Sequence, residues 1–174
     1  MNTNPFVTPF AGISPSVAAD AFVDISARLI GRVEIGSRAS VWPGAVLRAD
    51  EAEIVIGSGS AVLDLALLES PAGKPVIVAE NALISHKACL HGAMVESGAL
   101  VGIGAVVLDK AVIGAQALVG AGALVPPGMK VPPGTLVLGQ PARVVRDLKD
   151  SEKENILAQL RDLAEKAERY RRQG

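Results

Sequence analysis

An aliphatic residue returns every sixth position through most of this 174-residue chain. The series reads Val17, Val23, Leu29, Ile35, Val41 and Leu47, resumes at Ile56, Val62 and Leu68, and again at Val78, Ile84 and Leu90. After a one-residue slip it restarts at Val95 and runs through Val101, Val107, Ile113, Val119, Val125 and Val131 to Val137. Four positions past an anchor the residue is usually small: Ala21, Ala27, Ala39, Ala45, Ala66, Ala82, Ala88, Ala99, Ala105, Ala111, Ala117 and Ala123 all fit. This spacing matches neither an amphipathic helix nor the alternation of a half-buried strand. Each unit is instead a short strand plus a corner, with the anchor pointing inward and the small residue easing the turn. One unit cannot bury its own anchor, so the units must stack on one another.

Composition agrees with such a stack. The chain is 49% hydrophobic but only 3% aromatic, so its core is built from Val, Ile, Leu and Ala rather than from aromatic bulk. From about Val17 to Pro141 the pattern resembles the hexapeptide-repeat family. That resemblance implies an all-β fold, a left-handed parallel β-helix of triangular section with three units to a coil. The usual right-handed crossover preference alone points to the opposite hand.

Naming the three faces A, B and C in turn puts both long breaks, after Leu47 and after Leu68, at the corner between C and A. Loops leave a solenoid at one edge in this way. The second break, Glu69 to Ile77, carries the turn-rich run Pro71-Ala72-Gly73-Lys74-Pro75. Gly102-Ile103-Gly104 and Gly120-Ala121-Gly122 read as corners of the repeat, not as phosphate loops. The expected division is a β-helix domain over residues 1–145 and a C-terminal helix over 146–174. Ser151 and Glu154 have capping-box spacing, and Ile156, Leu157, Leu160, Leu163, Ala164 and Ala167 mark one apolar stripe. Its polar face mixes both charge signs, which points to packing on the β-helix or a neighbouring subunit rather than on a membrane.

A net charge of −1 offers no basic field for nucleic acid. No apolar run approaches the ~20 residues that cross a bilayer, and the opening Met1-Asn2-Thr3-Asn4-Pro5 lacks signal-peptide character. The single cysteine, Cys89, allows no internal disulfide, and a reducing cytoplasm is the expected compartment. Cys89 itself reads as a small half-buried filler.

The only two histidines, His86 and His91, lie five residues apart. That spacing makes no chelate on one helix face or one strand face. Repeat phase supplies the geometry instead. Arg48, Glu69 and His91 each follow a face-C anchor by one position, so they should stack in successive coils. Asp64 and His86 each follow a face-B anchor by two, so they should stack on the adjoining face. In a trimer, two such edges would bring His86 of one chain towards His91 and Glu69 of the next.

The run Arg48-Ala49-Asp50-Glu51, then Asp64, then His86-Lys87-Ala88-Cys89-Leu90-His91-Gly92 resembles the γ-class carbonic anhydrase family. The resemblance implies a homotrimeric, metal-dependent lyase acting on CO2 and bicarbonate, with zinc or iron held at each subunit interface by three histidines. His86 and His91 match two of these. Arg48, Asp50 and Asp64 match an interfacial charge network, and Glu51 matches a proton-handling glutamate. Glu69 stands where the third histidine belongs, Leu63 where a glutamine orients the metal's water, and Ala61 where an asparagine lies nearby. Two histidines and a carboxylate are a competent zinc set, so His86, His91 and Glu69 are the expected ligands of zinc or ferrous iron. An anionic ligand leaves the metal's water less acidic, so CO2 hydration should be weak or absent. Two other functions share the fold: a hexapeptide acyltransferase or CoA-thioester hydrolase, and a non-catalytic trimeric assembly subunit.

Overall fold

A computed structural model of the chain describes residues 6–173. Short parallel strands stack in three columns, and the six-residue anchors pair with one another down each. Face A pairs Val17, Ile35, Ile56, Val78, Val95, Ile113 and Val131 in succession. Face B pairs Val23, Val41, Val62, Ile84, Val101, Val119 and Val137. Face C pairs Leu29, Leu47, Leu68, Leu90, Val107 and Val125. The result is the left-handed parallel β-helix expected from the repeat. Every anchor from Leu29 to Val137 is at most 2% exposed, and each such burial is worth about 1.5–3 kcal/mol. Val17, on the open first coil, is 39% exposed.

The repeat does not announce where face C begins. Strand Val7–Thr8 pairs with Leu29 and Ile30 and adds one more layer there. The first break also differs from expectation, because no loop leaves the solenoid after Leu47. Strand Val46–Ile56 is continuous, and the extra residues form a bulge opposite strand Arg28–Ile35, whose register shifts between Gly31 and Val33. Gly31 has φ +75, and a Cβ there would collide with the Ala49 carbonyl oxygen, so this crossing tolerates only glycine. The second break is a true turn, closed by the Lys74 N–H donating to the Pro71 carbonyl at 2.9 Å. The two insertions brace each other. The buried Ser70 hydroxyl donates to the Ala52 carbonyl at 2.8 Å, and the Glu51 carboxylate accepts the Ala72 N–H at 2.8 Å.

At the far end, strand Thr135–Gly139 turns back on Ala142–Asp147 in antiparallel pairing. Helix α1 (Asp150–Gln173) follows. Residues 146 and 147 still pair as strand, and the helix starts one residue before Ser151, but its cap differs from the Ser151–Glu154 box. The Glu152 carboxylate accepts the Lys149 N–H at 2.9 Å and is gripped by Arg146 at 2.7 and 2.9 Å.

The helix runs back along face B of its own chain. Ile156, Leu160 and Ala167 are buried against Phe22, Trp42, Leu63 and Leu83, whereas Leu157 is 47% exposed, so the seam is narrower than the sequence stripe. Phe22, Trp42 and Tyr170 form a ring cluster with centroids 5.4–5.8 Å apart. The scarce aromatic bulk thus seats the helix while the solenoid core stays aliphatic. Among the described residues no helix is long and apolar enough to cross a membrane.

Candidate functional site

Asp64 and His86 occupy identical positions in two stacked corners between faces B and C. Each is followed by a residue of positive φ, Leu65 at 60° and Lys87 at 58°. Each turn closes through the next residue, Ala66 N–H to Leu63 at 3.2 Å and Ala88 N–H to Ser85 at 3.1 Å. The Lys87 N–H also donates to the Asp64 carbonyl at 2.9 Å, which locks the upper corner onto the lower. Stacked corners carry their side chains in parallel, and Asp64 Oδ2 lies 3.0 Å from His86 Nδ1. The contact occupies Nδ1. The His86 side chain remains 47% exposed.

Face C carries the second column. Arg48 pairs in register with Glu69, and Glu69 with His91, as the phase argument requires. The Arg48 guanidinium holds Asp50 at 2.9 Å and Glu69 Oε1 at closer range. Glu69, then Asp50, raise the Arg48 pKa further above its ordinary value.

His91 is oriented by residues that the sequence reading did not single out. Its Nδ1 lies 2.6 Å from Asp109 Oδ1, and Asp109 Oδ2 receives the Lys74 ammonium at 2.8 Å. Lys74, and after it His91, hold the Asp109 carboxyl below the usual carboxylate range. The step from Leu90 to Val95 is one residue short, and at this corner Gly92 packs closely against Lys74 and Asp109.

Glu51 is exposed, and its carboxylate secures the inserted turn by accepting the Ala72 N–H. Leu63 is 5% exposed inside the cluster that receives α1. It is thus a packing residue under α1. Cys89 is half-buried on face C, where burial and then Glu69 push its thiol pKa up, away from nucleophilic thiolate character.

Among the described residues of one chain, no three His, Cys, Asp or Glu side chains converge to hold a metal ion. The donor chemistry nevertheless fits one. Both histidines have Nδ1 engaged by a carboxylate, the arrangement that fixes the ring of a metal-ligating imidazole and presents Nε2. Two imidazoles and a carboxylate oxygen match a tetrahedral zinc set with one position open. The two half-sites lie on adjoining parts of the solenoid, so a shared centre needs a second chain.

No family model matches the sequence. The chain is 39% identical over 165 residues to a carbonic anhydrase of Geobacillus kaustophilus, covering 95% of this chain and 91% of that one. It is 41% identical over 89 residues to the mitochondrial γ carbonic anhydrase 2 of Arabidopsis thaliana, covering 48% of this chain and 32% of that one. Among solved structures, a Bacillus cereus protein described as a candidate acetyltransferase superposes with a TM-score of 0.95 at 32% identity. That match covers 97% of this chain and 98% of the other.

Proposed function

The chain belongs to the γ-class carbonic anhydrase-like family of hexapeptide-repeat proteins, and from that premise we propose that it is a homotrimer with a metal site shared between subunits. His91 and Glu69 of one protomer and His86 of the next hold zinc or ferrous iron. The observation that carries this reading is the pair of carboxylate–histidine contacts, Asp64 with His86 at 3.0 Å and Asp109 with His91 at 2.6 Å. Each leaves Nε2 as the available donor, one on either side of face C. A metal in such a site acts as a Lewis acid that lowers the pKa of bound water.

The chain's own residues then decide how well CO2 or bicarbonate is turned over. Glu69 brings a negative charge to the centre, which opposes that acidification. Arg48 offsets part of it by holding Oε1. Asp64 and Asp109 orient the imidazoles, and Asp50 steadies Arg48. Glu51, an exposed carboxylate beside the inserted turn, is the residue assigned to pass protons to solvent. With Leu63 packed under α1, no side-chain amide aims a nucleophile from that position. The activity is therefore a weak or absent CO2 hydration on a retained metal scaffold, in a cytoplasmic protein.

Metal analysis of purified protein by mass spectrometry, beside a light-scattering mass, tests the reading. Zinc or iron near one per chain, lost in His86→Ala and in His91→Ala, supports it. Trimers that stay metal-free after exposure to each ion favour a non-catalytic assembly subunit. The Bacillus cereus structure favours a second reading, acyl transfer from a CoA thioester, and release of free thiol from acetyl-CoA in the presence of amine acceptors would establish it.

A further inference from the structure

We infer that Asp109, clamped by Lys74, is the positioning residue that fixes His91 as the Nδ1–H tautomer and aims its Nε2 outward as the ligand. The inference rests on the metal-site reading above. An ionised carboxylate can only accept hydrogen bonds. Asp109 Oδ1, 2.6 Å from His91 Nδ1, therefore places the one proton of the neutral ring on Nδ1 and leaves the lone pair on Nε2.

The fold is built around this contact. The strand carrying His91 is cut one residue short before Val95, and Gly92 takes φ +56 in the gap. A Cβ on Gly92 would lie 2.8 Å from the Lys74 Cβ and 3.0 Å from Asp109 Oδ1. Any larger residue would push both away from His91. The Lys110 N–H donates to the Gly92 carbonyl at 2.6 Å, and the Gly128 N–H to the Asp109 carbonyl at 2.8 Å, so the corner bearing Asp109 is fixed from both sides.

Lys74 arrives from the inserted turn, whose fold is secured at Ala72 by Glu51. The insertion thereby acquires a purpose that repeat geometry alone does not explain. It delivers a cation that holds Asp109 ionised and stationary, 2.8 Å from Nζ. Outer-shell partners of this kind are typically worth about 10- to 100-fold in metal affinity.

The test uses the full-length protein with Asp109→Asn and, separately, Lys74→Met. Long-range proton–nitrogen correlation spectra of metal-free, histidine-labelled protein report the His91 tautomer, and His91→Ala assigns the signals. Zinc affinity is measured against a chromophoric chelator. The wild type should show His91 as Nδ1–H. Asp109→Asn should shift it towards Nε2–H and weaken zinc by about 10- to 100-fold, with the His86 signals unmoved. Lys74→Met should move both readouts the same way by a smaller amount. A His91 tautomer unchanged in Asp109→Asn overturns the inference, as does a shifted tautomer with unchanged zinc affinity. If the wild type binds no zinc, the metal reading fails, and the tautomer spectra still decide whether Asp109 orients His91.

Discussion

Replacing Arg48 by methionine deletes the guanidinium that holds Asp50 at 2.9 Å and Glu69 on the next coil, while most of its bulk on face C is kept. Within one chain the loss is small. The Arg48 side chain is 42% exposed and its partners are 22% and 27% exposed. Exposed pairs contribute about 0.2–1 kcal/mol each, so the two together come to no more than about 2 kcal/mol. In the proposed trimer the same column faces a neighbouring chain, and the two carboxylates lose water as well as their cation. Breaking a buried ion pair from one side costs about 3–5 kcal/mol. At 1.4 kcal/mol per tenfold, association weakens by about a hundredfold to a few thousandfold. Light scattering across a dilution series, with circular dichroism as the control for fold, measures this. The variant should keep its β signal yet dissociate at concentrations where the wild type remains assembled. A variant that holds its oligomeric mass throughout the dilution would refute the placement of this column at an interface.

Leu63→Gln, which restores the family's residue on paper, should destabilise the chain by about 1–3 kcal/mol because it buries an amide under α1. Urea unfolding at fixed protein concentration checks this, and an unchanged midpoint would show that the helix does not cover that position. Glu69→His should raise CO2 hydration at equal metal occupancy, since a neutral third ligand leaves the metal more charge. A stopped-flow indicator assay showing no rise would mean that carboxylate ligation is not what limits the rate. Arg146, then the Lys149 N–H, hold the Glu152 carboxyl at about 2, below its ordinary 4.5. A depressed carboxyl stabilises the folded state above the unfolded pKa and loses that contribution as pH falls from about 4.5 to about 2. Glu152→Gln should therefore flatten the acid limb of the stability profile in that window, and an unchanged limb would exclude this helix cap from acid unfolding.

Repeat phase made most of the fold legible, because a period of six returns each anchor to the same register one coil later. Leu47, Leu68 and Leu90 pair as expected, and Arg48, Glu69 and His91 align for the same reason. Phase fails where the chain breaks its own period. The bulge at Asp50 to Glu53 looks like a loop in sequence, yet its flanks stay paired as strand. Asp109 meets His91 at the corner where the step after Leu90 is one residue short and Gly92 takes a left-handed φ, and a period of six does not foretell that contact. Leu63 shows another limit. Its phase says that it points outward from face B, but only the seat of α1 decides that outward means buried. The helix starts within one residue of Ser151, but its cap comes from Glu152, held by Arg146 of the preceding strand, rather than from the Ser151–Glu154 box.

Each proposed metal centre takes ligands from two chains, so two inactive half-sites should complement each other when mixed. His86→Ala retains His91 and Glu69, whereas His91→Ala retains His86. Neither homotrimer should hold zinc. A cyclic trimer containing both kinds of chain places one intact His86 against one intact His91–Glu69 edge, in either mixing ratio. Co-expressed variants should therefore regain zinc in the mixed trimers, at one equivalent per mixed trimer, while separately purified variants remain empty. Zinc retained by either variant alone, or none recovered in trimers shown by mass to contain both chains, would contradict the shared site.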